Sequence, residues 1–449
     1  MIDVYNPATE SVIGSVSPAS PGDVDAAVGA ARAALRAWSA LSRAGRAARL
    51  TALRDLLAAH ADELAALITA EMGAPLPIAR KVQVGLPIAV LSSMIEQLAV
   101  PDEPEKIGNS LIYREPVGVV GAITPWNYPL HQTIAKLAPA LAAGNTVVHK
   151  PSEVAPLSAR RLSELVRQAG LPDGVDGIVD GYGDPTGAAL AGHPGIDLVS
   201  FTGSTTAGRR VAALAAANVT RVALELGGKS ANVILDDADL TAAVKVGVAN
   251  CFLNSGQTCT AWTRMLVHTS RYDEAVELAT AAAARYTVGD PTDPATRLGP
   301  LASAAQRDRV QSYVDRGVAD GAKMVHGGGA VPGVGYYVAP VVFADVDPGS
   351  VIAQEEIFGP VLSIIRYRDD DDAVRIANNT RYGLAGSVWS RSQEHALAVA
   401  RRIRTGQVDI NGGAFNPLAP FGGVGDSGYG RELGPFGLEE FTSVKAIQL

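Results

Sequence analysis

The two cysteines of this 449-residue chain, Cys251 and Cys259, are its strongest candidates for nucleophilic chemistry. Cys259 lies in the stretch FLNSGQTCT, after a glycine-containing turn and between two threonines, which suits an accessible nucleophile. Cys251 lies in the apolar helical stretch GVANCFL, where a free cysteine usually fills space as a small hydrophobe. Because an unperturbed thiol is only a few per cent thiolate at neutral pH, Cys259 would need a base or a dipole beside it.

Two further residues have side chains suited to general-base catalysis and to the stabilisation of an oxyanion. Glu225 ends an apolar strand and is followed by glycines, so a partly desolvated carboxylate there could have a raised pKa and act as a general base. Asn127 lies between Pro125 and Pro129, which fix the path of the loop, so its amide could donate to an oxyanion. A salt-bridged glutamate at a strand end and an asparagine that satisfies its own turn remain the alternatives.

Two other segments suit the binding of a nucleotide. The stretch 203–208, GSTTAG, follows a strand and opens a helix, so its backbone N–H groups would face an anion. Arg209 and Arg210 follow where a P-loop needs Lys and Ser or Thr, which disfavours an NTPase. Lys150 and Glu153 follow another strand and could hold ribose hydroxyls, although such a pair is more often solvated. The G-x-G-x-x-G fingerprint is missing from every predicted strand end, so a dinucleotide would bind by another route.

Alternating strands and helices must position these residues. Helices are predicted near 21–38, 45–72 and 77–98, followed by a charged, proline-marked linker at 101–106. Short apolar strands then alternate with helices, and we predict the strands at 117–123, 145–150, 177–180, 197–201 and 221–226. Such alternation indicates a parallel sheet with helices on both faces, which binds ligands at the carboxyl ends of its strands.

A second α/β unit is predicted from residue 227 onward. A helix precedes FLNSGQTCT, and further elements are predicted as strands at 263–268, 361–367, 386–389 and 407–410 and helices at 271–284 and 303–320. The chain ends in SVKAIQL, an alternating segment that looks like an exposed strand in need of a partner.

Composition limits the class of protein. At 449 residues the chain is longer than one hydrophobic core normally supports, so we expect two or more domains. Its net charge is −8, from 46 acidic and 38 basic residues, and no run of Lys and Arg favours nucleic acid as a partner. Free thiols, an N-terminus unlike a signal peptide and apolar runs that are broken short of a membrane span predict a cytoplasmic protein that does not enter a membrane.

With these pieces in chain order, the sequence resembles the aldehyde dehydrogenase superfamily over essentially its whole length. The blocks that carry the resemblance are PWNYP, KPSE, FTGST, ELGGKSANVI, FLNSGQTCTA, QEEIFGPV and PFGGVGDSGYGRE. The resemblance implies an NAD(P)-dependent, non-phosphorylating enzyme of the hydrolytic type. It would oxidise a small aldehyde to the carboxylic acid through a cysteine thiohemiacetal and a thioester.

The resemblance also implies roles for individual residues. Cys259 is the expected nucleophile, Glu225 the general base and Asn127 the oxyanion donor, and Lys136 is a further lysine of the active site linked to proton handling. The expected cofactor contacts are Thr124, Trp126, Lys150, Ser152, Glu153, Gly203, Ser204, Leu226, Glu356 and Phe358. Glu153 favours NAD because a carboxylate repels a 2′-phosphate, although Lys150 leaves NADP possible. No metal site is expected.

The fold expected from the resemblance is α/β, with a Rossmann-like parallel-sheet cofactor domain, a second α/β catalytic domain and a small β oligomerisation arm. The predicted limits are 1–106 and 119–226 for the cofactor domain, 227–426 for the catalytic domain, and 107–118 with 427–449 for the arm. We expect the arm to form a homodimer or homotetramer by pairing the terminal strand with a neighbouring subunit.

The sequence departs from the family pattern at two places. Gly425-Asp426 stands where many members have Lys, so any role of that Lys is absent here. Ala135 stands where members with an aromatic substrate box often have Trp, which argues against an aromatic cage for a quaternary ammonium aldehyde. The residues expected to line the aldehyde tunnel are Tyr128, Gln132, Ala135, Thr258, Thr260 and Phe421.

Three alternative functions stay open from the sequence. One is a semialdehyde dehydrogenase of a catabolic pathway with a preference for NADP. The second is a cysteine hydrolase, which needs a histidine base, although none of the 7 histidines lies in a recognisable partner motif. The third is a non-catalytic NAD-binding relative, which the joint presence of Cys259, Glu225 and Asn127 disfavours.

Overall fold

Two large, mainly parallel sheets with helices packed against them form the body of the protein, which confirms the predicted α/β class. The structure is a computed structural model, and it describes residues 1–101 and 103–449. Two small antiparallel sheets complete it, one made by the N-terminal strands Ile2–Tyr5 and Val12–Val16 and one that contains the C-terminal strand.

The first large sheet has six strands and brings together the predicted catalytic and cofactor segments. In spatial order its strands are Gly428–Tyr429, Arg221–Glu225, Leu198–Thr202, Val119–Ile123, Thr146–Lys150 and Asp176–Ile178. All neighbours are parallel except the first pair, which is antiparallel. The two strands that follow Val119–Ile123 in the chain lie on one side of it, and the next two lie on the other side. The direction of strand addition therefore reverses beside Val119–Ile123. A crevice at the carboxyl ends of the strands is expected at such a reversal.

The second large sheet has seven strands. In spatial order they are Lys323–His326, Val341–Ala344, Val361–Tyr367, Arg264–His268, Ala231–Ile234, Gly386–Trp389 and Asp409–Ile410. The strands predicted near 263, 361 and 386 are confirmed, and the one predicted at 407–410 is shorter. The sequence analysis did not predict Ala231–Ile234, Lys323–His326 or Val341–Ala344, because runs of four residues are too short to show a clear period.

Helices cover both sheets, and two of them differ from the prediction. The α-helices are Pro21–Ser39, Arg43–Ala59, Ala61–Met72, Leu76–Ile78, Gly85–Ala99, Pro129–Ala143, Leu157–Gln168, Ala188–Ala191, Thr205–Ala216, Leu240–Phe252, Tyr272–Ala283, Ala304–Ala319, Val351–Gln354, Asp370–Asn378, Gln393–Ala400 and Gly434–Glu440. The single helix predicted over 45–72 breaks at His60, where the acidic residues Asp62 and Glu63 favour a new helix N-terminus. The helix predicted over 77–98 contains a π-helical turn, Ala79–Val84, which a single helical period cannot predict.

Within the 24-residue helical run Leu76–Ala99, an 18-residue stretch has a mean hydropathy of 1.4, so by length and composition alone the run could cross a membrane. As predicted from the sequence, charge, glycine and proline interrupt the apolar residues of this run, at Arg80, Lys81, Gly85 and Pro87. Leu91, Met94 and Leu98 of this run belong to one buried cluster with residues of the helices Arg43–Ala59 and Pro129–Ala143. We therefore interpret the run as a core helix.

The C-terminal strand Thr442–Gln448 pairs antiparallel with Ser110–Pro116, which also pairs with Glu105–Ile107. The predicted terminal strand is thus confirmed, and six of its seven residues are exposed. Of the linker predicted at 101–106, the last two residues already belong to a strand, and residue 102 lies outside the described residues. The predicted domain limits stay predictions.

Candidate active site

A cavity of about 390 Å³ opens at the carboxyl ends of the six-stranded sheet, where the strand order reverses. Its lining comes from segments that are far apart in the chain. Among the predicted site residues it contains Trp126, Asn127, Gly203, Ser204, Leu226, Cys259, Glu356 and Phe358. The predicted nucleophile, oxyanion donor and several cofactor contacts therefore meet in one place.

Cys259 lies just after a strained turn that ends the helix Leu240–Phe252. Asn254 and Ser255 have left-handed backbone angles, with φ of 52° and 56°, before Gly256 with φ of 75°. This reversal turns the chain from the buried helix to the cavity. Burial raises the pKa of the Cys259 thiol well above its usual range, and the nearby carboxyls of Glu356 and Glu225 raise it further. This setting disfavours the thiolate, so the thiol must lose its proton before it attacks.

Cys251 behaves as the sequence analysis expected of a space-filling residue. Its side chain is fully buried in the cluster that also holds Phe252 and Trp262, and its Sγ lies 3.5 Å from the carbonyl oxygen of Val361. Burial raises the pKa of this thiol to about 12. The structure thus separates the two thiols into one on the cavity and one in the core.

Asn127 is held rigidly beside Cys259. Its Nδ2 donates a hydrogen bond of 2.9 Å to the carbonyl oxygen of Gln257, two residues before the nucleophile. A side-chain amide has two N–H groups, so one remains for an oxyanion in the cavity. The next residue, Tyr128, forms a second link of 2.7 Å between its hydroxyl and that of Thr258. The loop of the oxyanion donor and the loop of the nucleophile are therefore joined at two points.

Glu225 ends its strand as predicted and is 4% exposed. Neither carboxylate oxygen has a hydrogen-bond partner among the residues that the structure describes. Burial raises the pKa of this carboxyl well above its usual range, and the charge of Glu432 raises it further, while Lys136 acts in the opposite direction. A carboxyl in this setting is suited to accept a proton near the pH at which the enzyme works.

Lys136 lies behind the cavity wall, and its side chain is fully buried. Its Nζ donates a 2.7 Å hydrogen bond to the hydroxyl of Thr202, which lines the cavity, and forms a buried ion pair with Glu432. Lys136 therefore neutralises a carboxylate that stands close to Glu225. The sequence analysis did not single out Glu432, although it closes the block PFGGVGDSGYGRE.

Glu356 and Phe358 stand on the opposite wall. Gly228 N–H donates a 3.0 Å hydrogen bond to Glu356 Oε1, and burial raises the pKa of this carboxyl to about 7. A Cβ atom at residue 227 would lie 2.2 Å from Glu356 Oε2, so only glycine permits this approach. Phe358 makes an edge-to-face contact with Trp126 at 5.5 Å between ring centroids. Two aromatic rings and a carboxylate at one wall suit a ribose with a flat ring attached.

The remaining predicted cofactor contacts lie along the same edge of the sheet. Ser204 caps the 12-residue helix Thr205–Ala216, whose N-terminus faces the cavity and suits a phosphate group. Lys150 ends the strand Thr146–Lys150, which lies two positions along the sheet from Leu198–Thr202, and its Nζ forms an ion pair with Glu153 at 3.3 Å. These residues therefore fit an extended dinucleotide, although Thr124, Lys150, Ser152 and Glu153 lie outside the lining of the cavity itself.

The predicted tunnel residues divide into two groups. Gln132 lines the cavity, and Thr258 and Thr260 flank the nucleophile with partly buried side chains. Tyr128, Ala135 and Phe421 are buried, at 6%, 1% and 9% exposure, and Ala135 and Phe421 belong to the hydrophobic cluster against which Cys259 packs. Sequence reasoning missed further lining residues of the cavity, namely Gln306, Arg309, Arg381 and Tyr382. No motif marks them, since they reach the cavity only through the tertiary fold.

Comparisons with known proteins agree with this geometry. A family model described as the aldehyde dehydrogenase family matches residues 1–447. A 3-succinoylsemialdehyde-pyridine dehydrogenase from a Pseudomonas species is 49% identical over 99% of this chain and 94% of the relative. A geranial dehydrogenase from Castellaniella defragrans is 45% identical over 100% of this chain and 95% of the relative. The crystal structure of a variant of aldehyde dehydrogenase C from Pseudomonas syringae, with NAD+ and octanal, gives a TM-score of 0.98 at 49% identity and covers 100% of this chain and 93% of that one.

These matches favour an oxidoreductase over the cysteine hydrolase and over the non-catalytic relative. The groups whose charges perturb the pKa of Cys259 most are carboxyls rather than a histidine base. The likeness extends over the whole chain at identities well above those that show only a shared fold. The chain therefore belongs to the aldehyde dehydrogenase family and oxidises aldehydes with NAD.

Proposed function

We propose that Cys259, Asn127 and Glu225 carry out the oxidation as nucleophile, oxyanion donor and general base. This proposal rests on one observation: Cys259 and Asn127 line the same cavity. The carboxyl of Glu225, which has no partner among the described residues, lies behind it. Glu225 ends a strand, whereas Asn127 and Cys259 lie in loops, so three separate segments of the chain supply the three groups.

In the first half of the reaction, the Cys259 thiol loses its proton to solvent, and the thiolate forms a bond to the carbonyl carbon of the aldehyde. The carbonyl oxygen becomes an oxyanion, which accepts hydrogen bonds from the free N–H of Asn127 and from the backbone N–H of Cys259. NAD, when bound, would supply the hydride acceptor, and a thioester would remain on Cys259 once the hydride has left the same carbon. Because the donors are fixed before the reaction, they stabilise the oxyanion without a further cost of reorganisation.

In the second half, Glu225 accepts a proton from a water molecule, which attacks the thioester and releases the carboxylic acid. The raised pKa of this carboxyl makes it a stronger base than an exposed glutamate. Lys136, paired with Glu432, limits the repulsion between the two carboxyls and keeps Glu225 able to ionise. We assign Lys136 this supporting electrostatic role rather than a direct proton transfer.

The cofactor contacts are proposed as a path along the edge of the six-stranded sheet. Lys150 and Glu153 would hold the adenosine ribose, and Ser204 the pyrophosphate. Glu356 would hold the nicotinamide ribose, with Phe358 and Trp126 beside the ring. Glu153 supports NAD over NADP, because its carboxylate would face the 2′-phosphate of NADP. A semialdehyde dehydrogenase that prefers NADP has correspondingly less support.

We propose that the aldehyde is uncharged and has an apolar body. Cys259 packs against a hydrophobic cluster that contains Phe421, and the exposed ring of Phe415 lies 6.3 Å from that of Phe421. The similar proteins named above act on or bind octanal, geranial and a pyridine semialdehyde. A charged aldehyde would have to leave water for this wall without a partner, which is unfavourable.

The exposed terminal strand Thr442–Gln448 supports assembly as a homodimer or homotetramer, because an unpaired strand edge is a template for another chain. A cytoplasmic location is proposed from the two free thiols, which suit a reducing compartment. The proposed domain limits are those predicted from the sequence.

A panel of aldehydes with each cofactor tests this proposal. Octanal, geranial, succinic semialdehyde and betaine aldehyde would be assayed for reduced cofactor with NAD and with NADP. We expect kcat/KM with octanal or geranial to exceed that with either charged aldehyde by about 10² or more, since an unpaired charge is costly to desolvate. A preference for betaine aldehyde or succinic semialdehyde would refute the apolar substrate class.

A further inference from the structure

Asn127 is held by a buried group of amides that the mechanism above does not use. Its backbone carbonyl oxygen accepts two hydrogen bonds, 2.8 Å from Gln83 Nε2 and 2.9 Å from Asn254 Nδ2. Gln83 is fully buried, and Asn254 is 1% exposed. One amide comes from the π-helical turn Ala79–Val84 and the other from the turn before the nucleophile. The main chain of Asn127 is therefore fixed from both sides.

The same group of amides continues to the loop of the nucleophile. Gln257 Nε2 donates to the carbonyl oxygen of Asn254 at 3.2 Å, and Gln257 Oε1 accepts from Ala302 N–H at 2.9 Å. The Gln257 carbonyl oxygen is the acceptor that orients the side chain of Asn127. Gln83 thus links the N-terminal helical region to the oxyanion donor through its hydrogen bond to Asn127.

The orientation of the Gln83 amide follows from its neighbours. If its oxygen and nitrogen were exchanged, two carbonyl oxygens would stand 2.8 Å apart, which is repulsive. Gln83 Oε1, in contrast, has no hydrogen-bond partner among the residues that the structure describes. Its nitrogen otherwise lies 3.8 Å from the sulfur of Met72, so an apolar side chain would fill this site without leaving a buried oxygen unpaired. The hydrogen bond to the Asn127 carbonyl is therefore the interaction that the Gln83 amide provides and an apolar side chain would not.

We infer that Gln83 is a positioning residue for the oxyanion donor. By holding the Asn127 carbonyl, it fixes the loop from which the Asn127 side chain reaches the cavity. This inference rests on the proposed role of Asn127. Gln83 itself does not line the cavity, so the effect should fall on the chemical step rather than on direct contacts with NAD or the aldehyde.

Gln83→Met tests the inference, because methionine has a similar length and removes the donor. We expect kcat with octanal and NAD to fall about ten- to hundred-fold, as expected for a small displacement of a reacting group, while both KM values change less than about threefold. Ser93→Ala is the matched control, since Ser93 is a buried polar residue of the helix Gly85–Ala99 whose hydroxyl has no partner in the described part of the chain. It should leave kcat unchanged.

Asn127→Ala and the double variant separate positioning from general destabilisation. If Gln83 acts through Asn127, then Gln83→Met should lower kcat no further in the Asn127→Ala background, whereas an independent structural defect would add to it. If Asn127→Ala alone keeps its kcat, the proposed role of Asn127 fails. If Asn127→Ala loses activity but Gln83→Met stays within twofold of the native kcat, only the role of Gln83 is refuted.

Gln83→Glu keeps the test decisive where Gln83→Met does not fold. A neutral carboxyl can donate its proton to the Asn127 carbonyl, but a carboxylate cannot, and burial raises the pKa of such a carboxyl. The ratio of kcat for this variant to that of the native enzyme should therefore rise at least severalfold as the pH falls from about 9 to about 6. A ratio that stays constant across this range would overturn the inference.

Discussion

Replacing Glu225 with glutamine should stop the enzyme after the first half of its reaction. Glutamine matches glutamate in shape, so it fits the same pocket, but it cannot accept a proton from water. Cys259 and Asn127 remain in place, and the thioester should still form. We therefore expect one equivalent of NADH per active site in a rapid burst, followed by slow or no turnover.

The size of the effect follows from the setting of the carboxyl. Glu225 is 4% exposed and has no hydrogen-bond partner among the described residues, so its carboxyl is available to accept a proton from water. A positioned general base usually contributes about 10²–10⁴-fold to a rate. Steady-state kcat should fall by that factor, which corresponds to about 2.7–5.5 kcal/mol in the barrier to hydrolysis.

The same setting predicts the effect on stability. A carboxyl whose pKa is raised on folding stabilises the protein most at low pH, and this contribution is lost as the pH rises through the folded value. Glutamine has no such dependence, so the variant should be at least as stable as the native enzyme above neutral pH. Thermal unfolding at several pH values measures this. Loss of activity together with loss of stability would point to a packing defect instead of a missing base.

Rapid-mixing measurement of NADH and intact mass analysis after addition of octanal would test the stalled state. The mass should increase by one octanoyl group, and Cys259 should carry it. Asp176→Asn is the matched control, because burial raises the pKa of Asp176 to about 7 and this carboxyl lies at the far edge of the sheet. It should turn over normally. A variant at Glu225 with neither a burst nor an acyl adduct would refute the reasoning and assign this carboxyl to an earlier step.

Three other predictions follow from the site. Cys259→Ala should abolish NADH formation and Cys251→Ala should leave it near normal, since only the first thiol lines the cavity; equal loss in both would contradict the assignment. The rate at limiting octanal should rise from about pH 6 to about pH 9, because burial and nearby carboxyls raise the pKa of the Cys259 thiol, and a flat profile would count against a neutral resting thiol. Glu153→Gln should raise kcat/KM for NADP about tenfold while kcat/KM for NAD changes little, because it removes a like charge facing the 2′-phosphate; unchanged use of NADP would exclude that contact.

The sequence predicted well the features that depend on local pattern. The strands around Glu225 and Lys150 were found because short apolar runs alternate with helices, and the separate settings of Cys251 and Cys259 were readable from their neighbours. The break at His60 and the π-helical turn were missed, because apolar residues recur at nearly helical spacing on both sides of each. The pair of Lys136 with Glu432 joins residues 296 positions apart, and only the assembled sheets bring them together.

Several buried polar groups around the nucleophile share a physical property. Around the nucleophile, Gln83, Gln132, Glu225 and Asn254 each keep at least one buried oxygen without a partner in the described part of the chain. Leaving such a group unpaired costs about 1–3 kcal/mol, so a sequence selected for stability alone would not keep them together. Large, closely packed sheets supply the stability that offsets this cost and hold the groups in fixed positions. We therefore interpret the unpaired carboxyl of Glu225 as a group that the fold keeps free to accept a proton during the reaction.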